Sequence, residues 1–237
     1  MSKMVMRKPL HRLPCAPPTR RYAAFQILFA RPLTQDIRFR RVTNRNYKKA
    51  AAMTMVYVSF CKPVNFDTAT ALIRTCREVV SDSQHNWDKL RLMMSSGGGN
   101  ITAAFAAYNE IRSMPIELET LNTGATDSPA LMIFMAGKKR YACARSAFQF
   151  RQSSWSFPSK DDVALSVIAD TAKWLQEYQR IIAETIAEGT DGRLTSDKVV
   201  EMIQAGTTLN PQQAKDIGLI HDIIEPTIPA SARWWQV

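Results

Sequence analysis

Short strand-like runs alternate with helical periodicities from Met55 almost to the end of the chain, and this alternation is the tightest constraint on the fold. Met55 to Phe60 is β-branched and aromatic, as a strand requires. Asn65 to Asp67 offers cap residues, and Leu72, Ile73, Cys76, Val79 and Val80 follow at helical spacing. Lys89 to Met94 reads as a second strand, running into Gly97-Gly-Gly99, with a helix from about Ile101 to Ser113. Ile116 to Leu121 reads as a strand, Asn122 to Asp127 as a turn-rich segment, and Pro129 to Ala136 as an apolar helix. Arg140 to Ala144 and Ala147 to Gln152 are short strands. Asp161 to Glu188 is a long amphipathic helix with Leu165, Ile168, Ala172, Leu175, Tyr178, Ile182 and Ile186 as its stripe. Ser196 is expected to cap a helix to Ala205. Pro211 starts another that Gly218 stops, and Ile220 to Ile224 is the last strand. Strands alternating with helices imply an α/β fold with crossover connections.

The formal charge of +10 suggests a polyanion partner, but its distribution argues otherwise. Residues 1–52 hold 13 Lys and Arg against the single acid Asp36, whereas residues 53–237 hold 18 basic and 20 acidic residues. Any nucleic-acid binding would therefore lie in a Pro- and Arg-rich N-terminal tail outside the fold, and a nucleic-acid partner is not expected. A disordered tail, a transit peptide and a start codon set too far upstream all fit that segment. Residues 53–226 form the expected domain and 227–237 a C-terminal tail. No apolar run reaches the ~20 residues of a membrane span. Cys15, Cys61, Cys76 and Cys143 show no metal-ligand or disulfide spacing, which points to reduced thiols in a cytoplasmic protein. No metal or cofactor is expected.

Two segments invite a chemical explanation. Glycines at 97–99 between a strand and a helix let backbone N–H groups approach a ligand or an oxyanion. A tight turn needing positive φ would also use them. Gly-Lys-Ser/Thr is missing, so this is not a phosphate loop. Ser128 at a strand-to-helix turn could be a nucleophile, or simply an N-cap followed by Pro129 at N1.

Taken together, these segments resemble the proteolytic subunits of the Clp protease. Ser96 to Ala103, with Tyr108 and Asn109, looks like the family's glycine segment. Gly124 to Gly137 is similar to its nucleophile segment, Lys138 to Ser146 to the following strand, and Leu209 to Leu219 to its C-terminal segment. The resemblance spans about residues 54–226. It implies a crotonase/ClpP-like fold with a long protruding handle helix, here Asp161 to Glu188. It also implies homo- or hetero-oligomeric rings, an AAA+ unfoldase partner and peptide or protein substrates.

The same resemblance places Ser128 at the nucleophile position and Arg151 where the family has its histidine base. A guanidinium cannot take the serine proton near neutral pH. Gly206 stands where the family has its aspartate. One oxyanion donor would be the N–H of Pro129, which proline lacks, leaving Gly98 as the other. His11, His85 and His221 are the only histidines, and none lies in a segment expected at this site. The expectation is a pseudo-peptidase acting as a ring-forming subunit, alone or with an active Clp paralogue. An active atypical endopeptidase using Ser128 and a crotonase-type acyl-CoA enzyme are the alternatives.

Overall fold

A computed structural model of the chain describes residues 54–157 and 162–237. The basic N-terminal tail and the expected helix start at Asp161 lie outside the described residues.

The strands are β1 (Met55–Phe60), β2 (Lys89–Ser96), β3 (Glu117–Asp127), β4 (Lys139–Ala142), β5 (Ala147–Gln149), β6 (Thr208–Leu209), β7 (Asp222–Ile223) and β8 (Trp234–Gln236). The helices are α1 (Phe66–Val80), α2 (Ile101–Arg112), α3 (Ala130–Met135), α4 (Leu165–Gly189), α5 (Ser196–Gln204) and α6 (Pro211–Asp216). One sheet runs β6-β5-β3-β2-β1-β8, with β4 and β7 branching from β3. All its pairs are parallel except β5 with β6. The expected α/β class with crossover connections is the one observed.

Side-chain alternation explains how the sheet is covered. In β2, Leu90, Leu92, Met94 and Ser96 are buried, while the residues between them are part-exposed. On the less covered face Glu119 is buried and neutralised by two cations. Lys89 Nζ lies 3.1 Å away, and Arg91 approaches through Nε at 2.9 Å and Nη2 at 2.6 Å. The other face meets helices whose apolar stripes form one core, including Leu72, Ile111, Leu131 and Ile186. Asn65 caps α1 in a reciprocal box with Thr68, as expected of a cap residue there. Asn210 does the same for α6 with Gln213, Pro211 sits at N1, and Gly218 follows at φ +77°.

Several expectations change. The turn-rich segment Asn122 to Asp127 is the second half of β3. It is held in a fork, where β3 leaves β4 at Ala142 and picks up β5 at Ala147. Buried Asn122 fills that fork, donating through Nδ2 to the Ala147 carbonyl at 2.8 Å. Ser196 does not cap α5; Thr195 does, accepting from Lys198 N at 3.2 Å. The C-terminal tail carries β8, whose Trp234, Trp235 and Gln236 pair with Tyr57, Val58 and Ser59. The handle helix begins at Leu165 within the described residues, and only its last turns are core. Ile182, Ala183 and Ile186 are buried, but Leu165 is 80% exposed and Ile168 46%.

Candidate active site

The site forms where β2 and β3 end side by side. Ser96 pairs with Thr126, so the glycine loop after β2 and the Ser128 turn after β3 leave the sheet together. Crevices at the carboxyl ends of parallel strands are where α/β folds place ligands.

The glycine loop is built by close backbone approach. Gly99 lies at φ +143° and forms a bridge with Val64, and a Cβ there would stand 2.1 Å from the Val64 carbonyl oxygen. Val64 N donates to Gly98 O (2.8 Å) and Asn100 N donates to Val64 O (2.7 Å). Gly98, at φ +82°, packs against the Ser128–Pro129 backbone. Its N–H donates to Ser96 Oγ at 3.3 Å. The two readings of these glycines thus meet at one place, a turn that needs positive φ and abuts the serine.

Ser128 stands just past β3. Its N–H donates to the Gln149 carbonyl at 3.0 Å, which ties the turn to β5. The bond from Ser128 to Pro129 is cis. The expected N-cap role for Ser128 is not observed, because Pro129 occupies the N-cap of α3 and no side chain caps that helix. The serine is displaced by one residue from the position at which its hydroxyl could meet the first free N–H groups. Burial raises the neighbouring Asp127 carboxyl above its ordinary value, and the Arg151 charge opposes this.

Arg151 reaches the same place because β5 runs beside the end of β3, with Gln149 opposite Asp127. Its guanidinium is exposed and donates through Nη2 to Gln149 Oε1 at 2.5 Å. Ser128, Pro129 and Arg151 line one cleft of about 440 Å³ together with Gly97 and Gly99. Gly206 does not line it. That residue ends α5 at φ +65°, its N–H donating to Ile203 O at 3.2 Å, and a Cβ there would meet nothing within 4 Å. Gly98 is not part of the lining and packs against Ser128.

Among the described residues, none that lines the cleft carries an imidazole or a carboxylate. His85 is stacked on Trp87 at 5.0 Å and bonded to Asp82 at 2.8 Å. His221 Nδ1 accepts from Arg140 N at 3.1 Å. No cluster of three metal-ligating residues occurs among the described residues.

Sequence reading did not single out Trp155 and Trp174, which also line the cleft. They meet edge to face at 5.5 Å, and Trp174 continues to Tyr178 at 4.5 Å. The helical stripe from Ala172 to Tyr178 passes next to Trp174 without including it. Trp155 lies in a segment without regular secondary structure or periodicity, so neither carried a signal.

With this geometry in place, a family model of the Clp protease matches residues 42–227. The chain belongs to the Clp protease family. Among curated Clp relatives, the proteolytic subunit of the ATP-dependent Clp protease of Deinococcus radiodurans is 23% identical over 168 residues. That match covers 70% of this chain and 78% of the relative. Proteolytic subunit 1 of Corynebacterium jeikeium is 27% identical over 137 residues, covering 57% and 70%. A solved ClpP1 mutant from Listeria monocytogenes superposes with a TM-score of 0.62 at 20% identity, over 72% of this chain and 91% of its own. The fold is thus the ClpP/crotonase-like α/β fold expected from the sequence. Among the described residues, no helix is long and apolar enough to cross a membrane.

Proposed function

We propose that this Clp-family chain is a catalytically impaired, ring-forming subunit that binds peptides without cutting them. The observation that carries the reading is the cleft around Ser128, whose wall presents the Arg151 guanidinium and, among the described residues, neither an imidazole nor a carboxylate. A serine nucleophile needs a base to take its proton, and a guanidinium is a donor only. Pro129 follows Ser128 and has no N–H to offer an oxyanion. The remaining candidate donor, Gly98 N–H, is directed at Ser96 Oγ. Disabling a triad typically costs about 10⁶ in rate, and losing one oxyanion donor about 10²–10³.

Assembly is the second part of the reading. The exposed Leu165, Val167 and Ile168 on the first turns of α4 support pairing through that helix. An active Clp paralogue in the same ring and an AAA+ unfoldase at its face are the partners, in a cytoplasmic setting. One observation favours the competing reading of an active Ser128 peptidase: Ser128 lines the cleft and does not cap α3.

The test is hydrolysis of small fluorogenic peptides by purified protein, with fluorophosphonate labelling of Ser128 and native mass spectrometry alongside. The expected result is no Ser128-dependent turnover, no labelling, and rings formed alone or with an active paralogue. Turnover abolished by Ser128→Ala would overturn the impairment, and a chain that stays monomeric in both mixtures would overturn the ring.

A further inference from the structure

We infer that the cleft holds the C-terminal carboxylate of a peptide at Arg151, with the terminal apolar side chain against Trp155 and Trp174. The inference deepens the function proposed above and rests on it for the peptidic nature of the ligand.

Three features of the cleft converge on an anion with an apolar neighbour. Arg151 is exposed into it, and its hydrogen-bond partner is the neutral Gln149 side chain rather than a carboxylate. No acidic residue among the described ones lines the cleft; the carboxyl that feels the Arg151 charge is that of Asp127, outside the lining. The N-terminus of α2 also opens on it, since Asn100 and Ile101 line the wall. Asn100 Oδ1 already accepts from Ala103 N (2.9 Å) and Thr102 Oγ1 (2.7 Å), and the positive end of the helix dipole still faces the cleft. A planar, forked guanidinium suits a carboxylate in two-point contact.

Another part of the lining is apolar. Trp155 is 51% exposed and meets Trp174 edge to face, giving an aromatic surface beside the cation. Phosphate or sulfate would leave that surface unused, whereas a chain end places a carboxylate and a side chain on the same carbon. The backbone of Gln152–Trp155 belongs to no helix or strand among the described residues, and Gln152, Ser153 and Ser154 line the cleft with Trp155. A peptide lying along it would bring its last residue to Arg151.

The experiment uses the full chain and three fluorescein-labelled hexapeptides read by fluorescence anisotropy. One ends in a free Leu carboxylate, one is its C-terminal amide, and one is the amide with a terminal Glu in place of Leu. The free acid should bind roughly tenfold tighter than its amide. Arg151→Gln should bring that ratio to about one, since Arg151 is exposed and the fold does not depend on it. Trp155→Ala should weaken acid and amide alike and keep the ratio. Equal binding of acid and amide, a ratio that survives Arg151→Gln, no binding of any peptide, or equal binding by the Glu amide would each overturn the inference. The same titrations on Ser128→Ala protein keep the two readings apart. Cleavage seen only with Ser128 present would sink the impairment, while the acid-to-amide ratio is measured without it.

Discussion

Gly98 sits so close to Ser128 that a Cβ on it would stand 2.5 Å from the Ser128 carbonyl oxygen. The glycine loop is therefore the wall against which the serine turn is seated. Gly98 also lies at φ +82°, a region L-residues avoid. Gly98→Ala should destabilise the protein by about 1–3 kcal/mol, lowering the thermal midpoint by several degrees. Differential scanning calorimetry reads this directly. Gly97→Ala is the control, because a Cβ there meets nothing within 4 Å, and it should change little.

Arg140 is a buried cation satisfied by carbonyl groups. Its Nε donates to Leu219 O at 2.8 Å, Nη1 to Gly137 O at 3.3 Å, and Nη2 to the Gly189 and Gly218 oxygens. It joins the end of α4, the end of α6 and the start of β4. Arg140→Met would strand these acceptors at a cost of about 2–4 kcal/mol. Arg140→Lys, with fewer donors in reach, should recover only part of it. Urea unfolding of the three proteins checks the order.

Burial lowers the His221 imidazole below its ordinary value, and the Arg140 and Lys139 cations act in the same direction. An imidazole depressed on folding supports stability fully above its unfolded value of about 6.5. That support is lost as pH falls through the lower folded value. Thermal midpoints should therefore drop on acidification below about pH 6.5. His221→Gln, which can still accept from Arg140 N, should flatten that part of the profile. A profile identical in the two proteins would show that His221 plays no part.

Cysteine reactivity should follow burial. The Cys76 thiol is buried in α1 and pushed up to about 12 by desolvation, while Cys61 is exposed. Iodoacetamide at neutral pH should label Cys61 rapidly and Cys76 only after denaturation, as peptide mass mapping would show. Early labelling of Cys76 would mean that α1 opens in the native state.

The exposed start of α4 should matter for assembly more than for folding. Leu165 and Ile168 are 80% and 46% exposed. Leu165→Glu with Ile168→Glu should leave the thermal midpoint of the isolated chain nearly unchanged and shift sedimentation toward smaller species.

What the sequence disclosed was mostly local. The Asn65 cap, the Pro211 start and the apolar stripes depend on residues within a turn or two of each other, and each stands where periodicity and capping chemistry put it. Asn122 to Asp127 misled because Asn, Thr, Gly and Asp favour turns. Its strand geometry comes from partners 20 to 30 residues away, such as Ser96 and Phe148, and from Asn122 bridging to Ala147. Strand β8 escaped for a similar reason: Trp234 to Gln236 is three residues long and acquires its form only against β1. At the candidate site, family resemblance pointed to Ser128, Pro129, Arg151, Gly98 and Gly206; the first three line one cleft, and Gly98 and Gly206 do not. The aromatic wall was not, because Trp155 and Trp174 are brought together by tertiary packing.

The fork at Asn122 gives the serine turn a second reason to exist. Because β3 answers to β2 on one side and to β4 and then β5 on the other, its far end cannot drift without unpairing several neighbours. Presentation of Ser128 is thus a by-product of assembling the sheet. The position of Ser128 is therefore set by strand pairing, whichever side chains surround it.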